Sequence, residues 1–282
     1  MFHRPPVRLA VIGAAGLALA AGLATTAAAN QDHRPGPEVK PTVVLVHGAW
    51  ADSAGWSGVV KRLQSDGYRV TAPATPLRSL RGDAAYLADY LKTITGPVVL
   101  VGHSYGGAVI TNAATGNPNV KALVYVAAFA PDKGESIGGL VGKFPGSRLS
   151  DDPDAPVPTA LNAVPFTQPD GGSGVDLYIK PDKYRDVFLG NRLSRVRAAE
   201  LAATQRPVTG QAVGEVSGAP AWKTIRSWYL VARGDRTIPA AAERFMASRA
   251  HARTIEVDGP HAVHLTDPKA VTRVIEKAAI AR

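Results

Sequence analysis

The sequence predicts one α/β domain built on a doubly wound, mostly parallel β-sheet. Continuous apolar, β-branched runs recur along the chain, which is typical of strands buried on both faces. Segments with helical periodicity separate these runs, and this alternation indicates parallel strands joined by right-handed helical crossovers. The length of 282 residues suits one large domain with a full core and is short for two.

Strands and helices alternate regularly in the first half of the chain. The predicted strands are 42–46, 68–72, 97–104 and 122–127. Between them lie a helix that carries Trp56, Val59, Val60 and Leu63, a helix at 80–94 and a helix at about 105–115. Gly67 and Gly96 follow the first two helices, where glycine commonly ends a helix.

The alternation stops at Pro131. Residues 142–174 are rich in Pro, Gly and Asp, and we expect part of 145–175 to be a flexible surface excursion, whereas 181–216 has a helical pattern. We interpret about 131–219 as an insertion that covers the strand ends, because long insertions in compact domains are often lids or binding loops.

The alternation then resumes and completes the domain, which we place at 41–282. The predicted elements are a strand at 227–232, a helix at 239–249, a strand at 253–257 and a last helix that begins at Asp267-Pro268. Asp at the N-cap and Pro in the first turn favour a helix start at that point.

Residues 102–106 (GHSYG) match the pattern G-x-S-x-G between a buried strand and a helix. In that context the pattern predicts a nucleophile elbow, a tight turn that exposes Ser104 at the start of a helix. Backbone N–H groups at a helix start face an incoming oxyanion. Ser104 is therefore the candidate nucleophile, and a serine hydroxyl needs a neighbouring base.

The base is expected after the last strand, because the chain order Ser, acid, His is typical of such sheets. His261 lies on the loop directly after that strand and is preferred over His264, three residues further along. His264 is otherwise a packing or hydrogen-bonding residue. For His47 and His103 we expect structural roles beside the site.

The acid should follow a strand between the serine and the histidine. Asp235 does so at the end of a clear strand, and Asp132 is the alternative. Asp258 better suits an Asp-Gly turn. Asp267 is explained by helix capping.

An oxyanion hole needs two backbone donors. We assign one to the N–H of Tyr105, directly after the nucleophile. The other should come from the loop after the first strand, where Ala49 N–H is the candidate and Gly48 lets the backbone turn close to the site.

These motifs together, HGAW at 47–50, GHSYGG at 102–107, GD at 234–235 and GPHAV at 259–263, resemble the α/β-hydrolase superfamily. Within it the chain is similar to the branch of plant methylesterases and hydroxynitrile lyases. The resemblance covers about 41–281 and is weak across the insertion. It implies the α/β-hydrolase fold with an inserted lid.

Two positions depart from the lyases of that branch, which carry Thr after the oxyanion-loop His and Lys after the catalytic His. Here those positions are Gly48 and Ala262, and Ala262 offers no cation for departing cyanide. The resemblance therefore implies an esterase-like hydrolase of a small carboxylic ester. A non-enzymatic binding protein on the same scaffold, and a Ser-dependent amidase, perhydrolase or carbon–carbon hydrolase, stay open as alternatives.

Residues 1–29 have the pattern of a secretory signal peptide. Arg4 and Arg8 precede the apolar run 9–24, and Ala27–Ala29 offers small residues for cleavage before Asn30. The run is shorter than a membrane span needs, so we expect cleavage, secretion and no stable membrane insertion. Residues 30–40 read as a short exposed lead-in.

Composition narrows the classes of function further. The chain has no cysteine, which excludes disulfides, thiol nucleophiles and thiolate metal sites. The formal net charge of +9, or +7 without the two arginines of 1–29, is spread along the chain without a dense basic tract, so no nucleic-acid partner is indicated. The pattern implies no metal and no cofactor. Nothing in it indicates an oligomeric state.

Overall fold

The computed structural model describes residues 40–168 and 171–281. The predicted signal peptide at 1–29 and nearly all of the lead-in at 30–40 lie outside the described residues. In the described part of the chain, no helix combines the length and the apolar character needed to cross a membrane.

The strands are β1 (Thr42–Val46), β2 (Val70–Thr71), β3 (Val98–Ser104), β4 (Val120–Ala128), β5 (Leu161–Thr167), β6 (Ser173–Ile179), β7 (Val208–Thr209), β8 (Ser227–Ala232) and β9 (Arg253–Val257). The α-helices are α1 (Ser57–Ser65), α2 (Leu80–Lys92), α3 (Tyr105–Ala113), α4 (Ile137–Gly142), α5 (Pro181–Val187), α6 (Arg195–Ala203), α7 (Gly210–Gly214), α8 (Ala240–Arg249), α9 (Val263–Thr266) and α10 (Pro268–Ala279). Short 3-10 helices occupy Ser53–Trp56 and Ala221–Lys223.

The central sheet has the strand order β2-β1-β3-β4-β8-β9, and all its pairs are parallel. The predicted fold class is therefore confirmed. Since parallel strands end at the same edge, the residues that follow β1, β3, β8 and β9 converge at the carboxyl edge of the sheet. Ligand sites of such sheets form at this edge.

Alternating residues of each strand enter two apolar clusters, one on each face of the sheet. Val44, Leu100 and Tyr125 belong to one cluster, and their neighbours Val43 and Val99 belong to the other. Burial on both faces explains why these strands are continuously apolar. The sheet is consequently a rigid base for the loops at its carboxyl edge.

The insertion forms its own layer. β5, β6 and β7 make a three-stranded antiparallel sheet, with short helices α4 to α7 around it. Residues 143–160 contain no helix or strand, whereas β5 at 161–167 pairs with β6 along its whole length. β5 is an edge strand that carries Pro165 and is largely exposed, so it lacks the apolar alternation that identifies a strand.

Candidate active site

Ser104 sits at a strained turn between β3 and α3. Its φ of 54° and ψ of −124° lie outside the regions that L-residues prefer. Gly102 and Gly106 make the turn possible, because a Cβ on either would stand 2.5 Å from a backbone oxygen, that of Gly106 or Val46. The elbow predicted from the sequence therefore has a packing reason for both of its glycines.

The structure brings Ser104, His261 and Asp235 together. His261 Nε2 lies 2.8 Å from Ser104 Oγ, and His261 Nδ1 lies 2.6 Å from Asp235 Oδ2. The His261 side chain and the Asp235 side chain are fully buried. A carboxylate that accepts from Nδ1–H leaves Nε2 free to take a proton from the serine hydroxyl, which is the arrangement of a nucleophile, a base and an orienting acid.

Backbone amides hold the Asp235 carboxylate in place. Its Oδ1 accepts from Thr237 N–H at 2.6 Å and from Ile238 N–H at 2.8 Å. These bonds leave Oδ2 directed at His261. Asp235 follows β8 by three residues and His261 follows β9 by four, so adjacent strands of one sheet position both groups.

The loop after β1 lies directly against the elbow. A Cβ on Gly48 would stand 2.6 Å from Ser104 Cβ and 3.1 Å from Tyr105 N. Tyr105 is the first residue of α3, where amides have no partner within the helix. Ala49, Ser104 and Tyr105 line one cavity.

Trp50 connects this loop to the insertion. Its N–H donates to Arg206 O at 2.8 Å, its indole Nε1 donates to Leu177 O at 2.9 Å, and its carbonyl accepts from Tyr184 Oη at 2.8 Å. Trp50 also has a φ of 60°, an unfavourable value for a bulky residue. The insertion therefore fixes the backbone that carries Ala49.

His47 is buried, uncharged and hydrogen-bonded to two backbone groups. Its Nε2 accepts from Thr75 N–H at 2.9 Å, so Nδ1 carries the proton and donates to Gly48 O at 2.9 Å. Burial, which disfavours the charged ring, lowers the pKa of His47. The residue therefore shapes the loop.

His103 and His264 form a buried layer behind the base. His103 Nε2 donates to His261 O at 2.9 Å, and the ring centroids of His103 and His264 are 4.1 Å apart. Burial, reinforced by neighbouring histidines, puts the pKa of His103 well below its usual value and lowers the pKa of His264 to about 3. His264 contacts neither Ser104 nor Asp235 through a hydrogen bond among the described residues.

The other carboxylates considered from the sequence are occupied elsewhere. Asp132 Oδ1 is paired with Lys223 Nζ at 2.7 Å, and Asp258 Oδ1 is paired with Arg192 Nη2 at 2.9 Å. Asp267 accepts from Ala270 N–H at 3.0 Å as the N-cap of α10. The structure therefore brings Asp235 to the histidine and not Asp132.

Ser104 lines a cavity of about 790 Å³. The core domain contributes residues around Ser104, and the insertion supplies most of the remaining wall. The apolar side chains that line it include Trp50, Phe129, Ile137, Val141, Phe144, Leu149, Leu161, Leu177, Val208 and Val213. A cavity of this size and character suits a small organic molecule.

Sequence reasoning missed the groups that support the site. The amides of Thr237 and Ile238 follow Asp235 in the D-x-T order of an Asx turn, so a local signal for them exists. The bonds of Trp50 to Leu177 and Tyr184 join residues more than 120 positions apart, and nothing local in the sequence signals them.

Two characterised relatives resemble the chain. A carbendazim hydrolysing esterase from Nocardioides sp. (strain SG-4G) is 35% identical over 113 residues, which cover 36% of this chain and 47% of that esterase. The match thus spans about half the length of that relative. A pyrethroid hydrolase from Sphingobium wenxiniae is 27% identical over 264 residues, which cover 83% of this chain and 85% of the relative.

Solved structures share the fold. Polyneuridine aldehyde esterase superposes with a TM-score of 0.70 at 20% identity, covering 85% of this chain and 99% of that one. An extracellular α/β-hydrolase from a Paenibacillus species, described as homologous to tobacco salicylic acid binding protein 2, gives 0.65 at 22% identity, covering 86% and 100%. These neighbours confirm the expected similarity to the plant methylesterase branch at the level of the fold.

A family model described as the alpha/beta hydrolase family matches residues 43–274, which include all the elements that position the site. The match runs from β1 into α10 and so contains the elbow, the acid loop and the histidine loop. The chain is a member of the α/β-hydrolase family.

Proposed function

We propose that the protein is a serine-dependent carboxylic ester hydrolase that works through an acyl-serine, with Ser104 as nucleophile, His261 as base and Asp235 as the acid. The observation that carries this proposal is the unbroken path of hydrogen bonds from Ser104 Oγ through the imidazole to Asp235 Oδ2, at 2.8 and 2.6 Å. The esterase and hydrolase names of the two relatives support the same reaction.

The reaction would run in two halves. Ser104 Oγ attacks the ester carbonyl while His261 Nε2 takes its proton, and the oxyanion is held by the N–H groups of Tyr105 and Ala49. When the C–O bond to the alcohol breaks, His261 returns that proton to the leaving oxygen. Water then attacks the acyl-serine with His261 again as base, and releases the acid and free Ser104.

The cavity supports a small, largely apolar ester as substrate. Its walls carry aromatic and aliphatic side chains around Ser104. Lys143 also lines the cavity, but its Nζ lies 4.4 Å from the centroid of the Phe245 ring. Apolar contact would therefore supply most of the binding free energy of a substrate.

Hydrolysis fits the site better than cyanohydrin cleavage. Ala262, directly after the base, is fully buried and uncharged. Gly48 admits no side chain, since a Cβ there would collide with Ser104. Neither position can supply the groups that a lyase of the related branch places there.

A panel of p-nitrophenyl esters with acyl chains of increasing length tests the activity. We expect turnover with burst kinetics, because an activated ester acylates Ser104 faster than water removes the acyl group. A protein that only binds ligands would show saturable binding without turnover. Amide substrates test for an amidase, and added hydrogen peroxide with detection of the peracid product tests for a perhydrolase.

We also propose that the protein is exported and cleaved before Asn30. The support is the basic start, the apolar run and the small residues of 1–29. Intact-mass measurement of protein from culture medium should give an N-terminus at or near Asn30. Recovery of the full-length chain from membranes alone would contradict cleavage.

A further inference from the structure

Glu243 is a fully buried carboxyl group beside the acid of the triad. It lies in the first turn of α8 and is 0% exposed. Its Oε2 accepts from Ala232 N–H, at the end of β8, at 3.1 Å. Among the described residues, no N–H or O–H donor satisfies its Oε1. A buried oxygen without a donor is costly, unless the group is itself a donor.

The group that faces Glu243 is Asp235. Both residues are held at Ala232, since Glu243 Oε2 accepts from its N–H and Asp235 N–H donates to its carbonyl at 3.0 Å. Burial, followed by the charge and hydrogen bonding of Asp235, raises the pKa of Glu243. Neither carboxylate can donate to the other while both are ionised. Arg244, the basic neighbour on α8, is engaged by Glu256 through two bonds of 2.7 Å. Tyr229 also faces the pair, and its hydroxyl donates to Ala128 O. Arg244 is thus committed to Glu256, and in the described part of the chain no ion pair joins a cation to Glu243.

The acceptor positions of Asp235 leave room for one further donor. A carboxylate offers about four lone-pair positions. Thr237 N–H and Ile238 N–H use two of them and His261 Nδ1 uses a third. A proton on Glu243 would fill the remaining position and would also give its unsatisfied oxygen a role.

We propose that Glu243 is a neutral carboxylic acid that donates a hydrogen bond to Asp235 and so positions the acid of the triad. Ser104, His261, Asp235 and Glu243 then form one hydrogen-bonded series, in which the two carboxyl groups share one negative charge. Burial and the charge of Asp235 raise the pKa of Glu243 well above its usual value, in agreement with this geometry. As a positioning residue, Glu243 touches neither substrate nor nucleophile.

Stability against pH tests the proton directly. A carboxyl whose pKa is raised by folding stabilises the protein fully below its unfolded value, about 4.3. That stabilisation is lost as the pH rises towards the folded pKa. Glu243→Gln cannot lose a proton and so avoids this loss. Above pH 5, the unfolding constant of the wild type should therefore rise tenfold per pH unit relative to that of the variant, which equals about 1.4 kcal/mol of stability.

The matched control is Glu200→Gln, at an exposed glutamate of α6 that pairs with Arg197. It should keep the wild-type pH dependence. Parallel stability curves for the wild type and Glu243→Gln from pH 5 to 8 would overturn the proposal. This measurement needs no substrate, so its outcome is independent of whether the protein is an esterase.

Activity supplies the second test, and this part rests on the proposed function. Glu243→Leu removes the donor and concentrates the charge of Asp235 on His261, which should move the acidic limb of kcat/KM to higher pH. Glu243→Gln retains an N–H donor, so its acidic limb of kcat/KM should lie at the wild-type pH. Met246→Leu, in the core face of the same helix, controls for packing. A limb that coincides in Glu243→Leu and the wild type would contradict the positioning role.

Discussion

Gly48 packs directly against Ser104 and leaves no room for a side chain between them. The Cα–Cβ direction of Gly48 points at Ser104, so that a Cβ added there would stand 2.6 Å from Ser104 Cβ and 2.7 Å from His103 O. Real Cβ atoms do not approach so closely, and one of the two loops would have to move. Movement of the loop that carries Ala49 is therefore coupled to the position of Ser104.

Gly48→Ala should therefore lower kcat by about 10²-fold or more, because a displacement on the order of 1 Å at a reacting group has that effect. Gly139→Ala is the control, since the new Cβ on this exposed turn of α4 meets only Ser136 Oγ, at 3.2 Å. Kinetics on one activated ester compare the two. Equal activity of both variants would mean that the loop tolerates movement.

Asp235→Asn should lower kcat by about 10⁴-fold while the fold persists, if the serine-protease precedent holds, because an amide no longer favours the productive imidazole tautomer. Asp132→Asn removes a partly exposed ion pair with Lys223 and should change kcat little. Thermal unfolding of both variants checks that the fold is intact. A severe loss in Asp132→Asn with a mild one in Asp235→Asn would reverse the assignment of the acid.

Tyr184→Phe should lower kcat more than it raises KM. The lost hydroxyl leaves the Trp50 carbonyl without this donor, which costs about 1–3 kcal/mol and loosens the loop that carries Ala49, the proposed oxyanion donor. Tyr125→Phe is matched to it, since Tyr125 is also buried and hydroxyl-bonded, to Thr111 Oγ1 at 2.9 Å. Both variants should lose stability, and only Tyr184→Phe should lose turnover. Equal kcat values for Tyr184→Phe and Tyr125→Phe would show that the bond from the insertion to Trp50 does not affect catalysis.

His264→Leu should make stability less dependent on pH in the acid range. The folded pKa of about 3 lies below the unfolded value of about 6.5, so the neutral ring stabilises the fold above pH 6.5 and this stabilisation is lost as the pH falls. The wild type should lose about 1.4 kcal/mol per pH unit more than the variant in this window. Urea unfolding at pH 4, 5, 6 and 7 measures the difference. Curves of equal slope would show that folding leaves the pKa of His264 unchanged.

The sequence was sufficient for the central sheet and for the residues at its edge. Strands such as β1 and β3 are apolar on both faces, and the motif around Ser104 lies where one of them meets a helix. The positions of Asp235 and His261 follow from chain order, because parallel strands deliver the residues after them to one edge. These features depend on local patterns, which a single sequence displays.

The insertion and the supporting contacts depend on distant residues. The sequence did not predict the hairpin of β5 and β6, because β5 contains Pro165 and is largely exposed, so it lacks the alternating apolar pattern of a strand. The hydrogen bonds of Trp50 with Leu177 and Tyr184 form only once the insertion has folded over the sheet. Glu243 follows Asp235 by eight residues, and its burial against that carboxyl depends on how α8 packs on β8.

Covalent labelling tests most directly whether Ser104 becomes acylated. A fluorophosphonate reacts with an activated serine, and peptide mass spectrometry locates the adduct. We predict one adduct per chain on Ser104, no adduct in Ser104→Ala, and an unchanged adduct in Ser147→Ala, which alters another serine of the same cavity. An adduct elsewhere, or wild-type turnover by Ser104→Ala, would contradict the proposed mechanism.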